Sequence, residues 1–172
     1  MSALSNVEVG AVQDALESSN EYLSFRLATE EYGIDILRVQ EICSYLPPTR
    51  IVGAPECVRG VLNPRGVIVP IVDLRLRLGI DAPFDASTVT VVLNIDGRTI
   101  GAVVDSVSDV IALVPDQIKK APHFTDTAAG HFITGLGAIR QGEQERMLIL
   151  VDIRMMMAEL NHYLSPADLG SS

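Results

Sequence analysis

The chain alternates apolar and polar residues over several short segments, a pattern typical of β-strands with one buried face. Leu23, Phe25 and Leu27 share one face, and the extended pattern resumes at Tyr32 after a polar turn. Residues 67–72 are β-branched almost throughout, which predicts a strand buried on both faces. These segments favour a mostly β fold.

A second group of strands follows an irregular stretch. Residues 79–87 contain glycine, proline and two aspartates, and they predict a linker. Alternation then resumes over residues 89–95, and Asp96-Gly97 is a strong signal for a tight β-hairpin. The second half of the chain therefore repeats the strand and turn pattern of the first half.

The repeat is visible when the chain is compared with itself. A shift of 68 positions places Leu23 on Val91 and Gly33 on Gly101. Farther on, Asp73-Leu74-Arg75 is echoed by Asp152-Ile153-Arg154, although the two copies differ in length there. Two similar small barrels of about five strands each, packed against one another, account for this pattern.

The predicted boundaries follow from these patterns. Residues 1–20 form a mobile tail, residues 21–80 a first barrel, residues 88–154 a second barrel and residues 155–165 a closing helix. A short helix is also predicted between Pro55 and Gly60, because proline suits the first helical turn and glycine the exit. The closing helix has an apolar stripe of Ile153, Met157, Leu160 and Leu164.

Composition narrows the classes of partner and compartment. The 172 residues are 48% hydrophobic and carry a net charge of −9, which disfavours nucleic acid and anionic membrane surfaces. We find neither a secretory leader nor an apolar run long enough to span a membrane, so no direct membrane insertion is expected. Cys43 and Cys57 cannot form a disulfide framework, which favours a reducing, cytoplasmic setting.

Catalytic motifs are missing from the sequence. It contains no glycine-rich phosphate loop, no serine elbow and no metal-ligand spacing, so we predict no enzyme, no cofactor and no metal site. His123, Asp126 and His131 lie close together in a polar loop, where a metal-dependent site is an alternative to a solvated loop. A small ligand bound in the groove between the barrels is another alternative.

One turn presents a charged side chain outward. Arg65 lies between Pro64 and Gly66. Proline has a fixed φ angle of its own, and glycine permits an unusual one. An exposed arginine there can form a surface ion pair, with Glu41 as the candidate partner, or it can anchor an interface. The spacing alone favours neither interpretation.

Several longer motifs occur together along the chain. They are Glu31-Tyr32-Gly33-Ile34-Asp35-Ile36, Val39-Gln40-Glu41-Ile42, the run from Arg65 to Arg75, Val107-Ser108-Asp109-Val110, Thr134-Gly135-Leu136-Gly137 and Met147-Leu148-Ile149-Leu150-Val151. In this order and spacing the motifs resemble the CheW family, and the resemblance runs from about residue 21 to about residue 160, which is most of the chain. This chain departs from the family at Pro64, where leucine is common, and in the longer turn at residues 140–146.

The resemblance implies a fold and a function. Two SH3-like five-stranded barrels would form one CheW-like domain over residues 21–165, without catalytic activity. The implied partners are the cytoplasmic tip of methyl-accepting chemoreceptors and the regulatory domain of the chemotaxis histidine kinase. The implied interface residues are Val39, Glu41 and Arg65, on the surface of the first barrel. The protein would be cytoplasmic and recruited to membrane receptor arrays through these partners.

Overall fold

The computed structural model describes residues 20–81, 83–120 and 132–164. Within these residues the fold is mostly β, as predicted, with short helices. The strands are β1 (Asn20–Leu27), β2 (Glu30–Asp35), β3 (Val39–Ser44), β4 (Val58–Leu62), β5 (Val69–Asp73), β6 (Val89–Ile95), β7 (Arg98–Val104), β8 (Ser106–Leu113), β9 (Ile118–Lys119), β10 (Ile133–Gln141) and β11 (Gln144–Val151). The α-helices are α1 (Leu74–Arg77), α2 (Ile153–Ala158) and α3 (Asn161–Leu164).

The strands form two sheets, and each sheet contains strands from before the linker and strands from after it. The six-stranded sheet has the order β8-β1-β2-β11-β10-β9, and the five-stranded sheet has the order β3-β6-β7-β5-β4. The prediction that residues 21–80 and residues 88–154 each close a barrel of their own is therefore wrong. Each half gives its first hairpin to the sheet of the other half. Periodicity along a strand determines which face is buried, but it does not specify the neighbour beyond the hairpin.

The predicted internal repeat is confirmed by the strand registers. Phe25 pairs with Tyr32, and Leu93, which lies 68 positions after Phe25, pairs with Ile100. On its other side Phe25 pairs with Val107, just as Leu93 pairs with Val39. The parallel contacts match as well, since β2 pairs with β11 and β7 pairs with β5. The two sheets are thus related by an approximate two-fold exchange of equivalent hairpins.

The main hydrophobic core lies between the two sheets. Leu23, Phe25 and Leu27 reach it from the six-stranded sheet, and Leu93 and Ile95 reach it from the five-stranded sheet. Smaller apolar clusters occupy the opposite face of each sheet. One is built on Val69, Ile71 and Val103, and the other on Leu113, Leu148 and Leu150.

The C-terminal helical segment covers this core, although its limits differ from the prediction. It begins at Ile153 and is divided into α2 and α3, and residue 165 lies outside the described residues. Asp152 caps α2 by accepting a hydrogen bond from the Met155 backbone N–H. The predicted stripe is buried, together with Met156. Among the three consecutive methionines, Met155 alone is exposed.

The predicted helix between Pro55 and Gly60 is wrong. Residues 51–57 form turns, and β4 begins at Val58. Gly60 lies inside β4 with φ 141°, and a Cβ atom there would collide with the backbone carbonyl of Thr49. The glycine therefore permits a close approach of two backbone segments rather than ending a helix.

The linker is irregular over its described residues, as predicted, yet it is attached to the fold. Phe84 stacks on Tyr45 at 4.4 Å between ring centroids. The guanidinium of Arg75 lies 4.8 Å from the centre of the Phe84 ring. Arg75 Nη1 also donates a hydrogen bond of 2.5 Å to the carbonyl of Pro83. These contacts connect the linker to α1 and to the segment after β3.

Candidate functional site

Arg65 lies at the tip of the turn between β4 and β5, as predicted. Residues Pro64–Gly66 form a single 3-10 turn, and Arg65 adopts φ 55° and ψ 27° within it. This left-handed backbone conformation is uncommon for residues other than glycine. The side chain is 83% exposed. The turn therefore presents a positive charge to solvent.

Glu41 lies on β3, an edge strand of the five-stranded sheet, and its side chain faces Arg65. Arg65 Nη2 and Glu41 Oε2 are 3.7 Å apart, and the Glu41 side chain is 50% exposed. An ion pair this exposed contributes at most about 1 kcal/mol to folding. The structure therefore contains the ion pair considered for Arg65, while both charges stay accessible from solvent.

Val39 is separated from this pair by a β-bulge. Val39 pairs with Leu93 and Glu41 pairs with Val92, so two steps along β3 match one step along β6. A bulge of this kind turns the following side chains to the other face of the sheet. Val39 is half-buried and packs against the main core, while Glu41 lies on the opposite face. The structure thus brings together two of the three predicted interface residues and places Val39 on the core side.

Glu41 and Arg65 line an open groove of about 390 Å³ on the face of the five-stranded sheet away from the main core. Apolar side chains from four segments make up most of the rest of its surface. The walls include Leu46, Leu62, Val67, Val69, Ile71 and Val92. Leu46 and Val67 are more than half exposed to solvent. The groove can therefore bury apolar groups of a partner beside an accessible ion pair.

Cys43 and Thr90 are among the polar residues that line the groove. The Cys43 thiol lies 3.7 Å from the carbonyl oxygen of Thr90. Partial burial and the nearby Glu41 carboxylate raise the pKa of Cys43, so the thiol stays protonated and is a poor nucleophile. The Thr90 hydroxyl is buried and lacks a hydrogen-bond partner among the described residues. This chemistry is suited to binding rather than to bond cleavage.

Within the described part of the chain, no group of three or more His, Cys, Asp or Glu side chains is arranged to hold a metal ion. The predicted alternative at His123, Asp126 and His131 lies outside the described residues. None of the described helices has the length and apolar character needed to cross a membrane.

The chain is a mostly β protein with an open groove on one sheet, and comparison with known proteins gives its family. Residues 21–161 match the family described as the CheW-like domain. The chain belongs to this CheW-like family of bacterial chemotaxis proteins, so the predicted resemblance is confirmed.

Individual relatives agree with the family match. A chemotaxis protein CheW of Klebsiella aerogenes is 51% identical over 139 residues, covering 80% of this chain and 81% of that protein. A probable chemotaxis protein CheW of Rhizobium etli is 30% identical, covering 87% of this chain and 94% of that protein. The crystal structure of the scaffolding protein TtCheW from Thermoanaerobacter tengcongensis matches with a TM-score of 0.69 and 29% identity. It covers 80% of this chain and 92% of the TtCheW chain.

The sequence patterns did not predict the role of Arg146. Residues 140–146 were expected to form a long turn, but Arg140 and Gln141 end β10, Gly142 and Glu143 make the turn, and Arg146 lies in β11. Its guanidinium pairs with acidic residues from two distant strands. The available signal was the internal repeat, which aligns Arg146 with an apolar position of the first half.

Proposed function

We propose that this protein is a non-catalytic adaptor that couples chemoreceptors to the chemotaxis histidine kinase. The groove beside Glu41 and Arg65 takes the cytoplasmic tip of the receptor. A separate surface contributed by residues 88–154 takes the regulatory domain of the kinase. The protein is cytoplasmic and reaches membrane receptor arrays through these two contacts.

The observation that carries this proposal is the groove itself. An apolar surface lined by an exposed arginine and an exposed glutamate suits a partner that offers apolar side chains and complementary charges. Arginine is enriched among the residues that dominate interface energies. The net charge of −9 disfavours nucleic acid as the occupant. Membership of a chemotaxis family supports receptors and the kinase as the partners.

Co-sedimentation with receptor cytoplasmic fragments and the kinase tests the proposal. We expect wild-type protein to bring the kinase into the receptor pellet, and Arg65→Ala to lose receptor binding while it stays folded. An exposed residue of β10 provides the matched control, Arg140→Ala, which removes the same charge elsewhere. Equal binding by wild type and Arg65→Ala would reject the groove as the receptor site.

Lack of catalysis has a test of its own. We expect that purified protein neither binds ATP nor accepts phosphate from the active kinase, because the sequence lacks a phosphate loop. Stable transfer of labelled phosphate to this chain would reject the adaptor proposal.

A small ligand is a second candidate occupant of the groove. Its volume of about 390 Å³ lies in the range of small-molecule sites. The unpartnered Thr90 hydroxyl could receive a polar atom of such a ligand. A rise in melting temperature with a small metabolite, lost in a variant that blocks the groove, would favour this alternative.

A further inference from the structure

The positions that line the groove have equivalents in the six-stranded sheet, because the internal repeat relates the two sheets. A shift of 68 positions relates Val92 to Ser24 and Thr99 to Glu31, and it relates Glu41 to Asp109. The parallel registers place Ile71 opposite Gly101 and Leu150 opposite Gly33, so Ile71 corresponds to Leu150. Four residues earlier on each segment, Val67 corresponds to Arg146. These equivalent groove positions thus differ chiefly in polarity.

In the six-stranded sheet the equivalent space holds the Arg146 guanidinium. Arg146 Nε donates to Glu31 Oε2 at 2.8 Å, and Nη2 donates to Asp109 Oδ1 at 2.8 Å. Nη2 also donates to the Ser24 hydroxyl at 3.1 Å. One side chain therefore connects β11 with β2, β8 and β1. The Arg146 side chain is only 18% exposed, and Ser24 is fully buried.

The electrostatics stabilise this arrangement. Hydrogen bonds that Arg146 donates to Asp109 and Glu31 raise the pKa of Arg146 above its usual value, so the guanidinium remains charged. The Arg146 guanidinium is mostly shielded from solvent, and it is stabilised because its carboxylate partners are held on neighbouring strands. In the five-stranded sheet Val92 and Thr99 stand in place of Ser24 and Glu31, so Glu41, the equivalent of Asp109, is the one acid left among these three positions.

We propose that Arg146 is a specificity-determining residue that closes the second groove and restricts an apolar partner to the five-stranded sheet. The two sheets share strand order and register, so without this difference each would offer a similar apolar groove. The Arg146 network makes the adaptor asymmetric, with one groove for the receptor tip. This inference rests on the proposed function, because it assigns the open groove to that partner.

Reciprocal grafts of the three differing residues test the inference. The opening variant, Ser24→Val/Glu31→Thr/Arg146→Val, copies the apolar groove into the six-stranded sheet. Its net charge is unchanged, and the carboxylate that stays behind, Asp109, is half exposed to solvent, as its equivalent Glu41 is. The closing variant, Val67→Arg/Val92→Ser/Thr99→Glu, copies the Arg146 network into the five-stranded sheet. Arg140→Val is the control for loss of an exposed arginine.

Binding of the neutral apolar dye Nile red reports the number of open grooves, since binding removes the apolar surfaces of both the dye and the groove from water. We expect one more bound dye per chain in the opening variant than in wild type, and loss of dye in the closing variant. Receptor binding should also be lost in the closing variant. Circular dichroism and urea unfolding establish that each variant is folded.

Specific results would overturn the inference. They are a wild-type protein that binds no dye, a folded opening variant without the additional dye, or a folded closing variant with unchanged dye binding. If the opening variant fails to fold, the closing variant decides alone. If the closing variant loses dye but binds receptor normally, the inference about the grooves stands and the proposed receptor site fails.

Discussion

Arg75 Nη1 lies 2.8 Å from Asp105 Oδ1, across the linker that separates the two halves of the chain. The same guanidinium donates two further hydrogen bonds to the Asp73 carboxylate, at 3.0 and 2.9 Å. Arg75 and Asp73 are fully buried. Burial alone would lower the pKa of Arg75, but the hydrogen bonds to Asp73 and Asp105 outweigh it and raise the pKa. The cluster therefore joins β5 to the end of β7.

Removal of this guanidinium should destabilise the fold strongly. Arg75→Ala leaves the Asp73 carboxylate buried without its partner, and we expect a loss of about 3–5 kcal/mol in the free energy of unfolding. Urea denaturation measures the change. The matched control is Arg154→Ala, because the repeat aligns Arg154 with Arg75.

The control should behave differently because its ion pair is exposed. Arg154 Nε lies 3.2 Å from Asp96 Oδ2, and both side chains are more than half exposed. We expect Arg154→Ala to cost at most about 1 kcal/mol. If the two variants lose similar amounts of unfolding free energy, the buried Arg75 cluster does not stabilise the connection between β5 and the end of β7.

The groove residues should separate folding from coupling. Arg65→Ala and Glu41→Ala each remove one side of an exposed 3.7 Å ion pair, so stability should change by less than about 1 kcal/mol. Activation of the kinase by receptors should fall strongly, because both side chains line the proposed receptor groove. Urea unfolding and a reconstituted kinase assay give the two quantities. Variants that unfold near ambient temperature while coupling persists in the folded fraction would assign these residues a structural role.

Equivalent edge strands should serve different partners. Ile42 on β3 and Val110 on β8 correspond in the repeat, and they are 44% and 50% exposed. We expect Val110→Lys to lose the kinase and keep the receptor, and Ile42→Lys to lose the receptor and keep the kinase, because a charge disrupts apolar edge contacts. Separate binding assays on folded protein measure both effects. If each variant loses both partners, or if neither variant loses a partner, the model of two separate surfaces is wrong and one shared binding site must take its place.

Acid should weaken the Arg146 network. The hydrogen bonds from Arg146 lower the pKa of Asp109 below its ordinary value of 3.8. A carboxyl group whose pKa is lower in the folded state stabilises the fold above its unfolded pKa, and this contribution is lost as the pH falls through the folded pKa. The melting temperature of wild type should therefore fall more steeply on acidification below about pH 5 than that of Asp109→Asn.

The control for the acid experiment is Asp116→Asn, which changes another exposed carboxylate. Its melting profile should follow that of wild type over the same pH range. Parallel profiles for wild type and Asp109→Asn would show that the Asp109 contacts contribute nothing to stability.

Local features of the fold could be predicted because neighbouring residues determine them. Alternation predicted the hairpins, and Asp96 and Gly97 both adopt positive φ, as a tight two-residue turn requires. Proline and glycine beside Arg65 were sufficient to place that side chain at a turn tip. The repeat at 68 positions predicted two related units, and the resemblance of the motifs predicted the family.

The sequence by itself therefore determined the main hairpins, the Arg65 turn, the repeat and the family. The tertiary structure alone decided that the halves exchange hairpins, that a bulge turns Val39 away from Glu41, and that Arg146 meets Glu31 and Asp109. Each of these features depends on which distant strand lies alongside another. A period of two residues assigns a side chain to a face, but it carries no information about the strand that the face will meet.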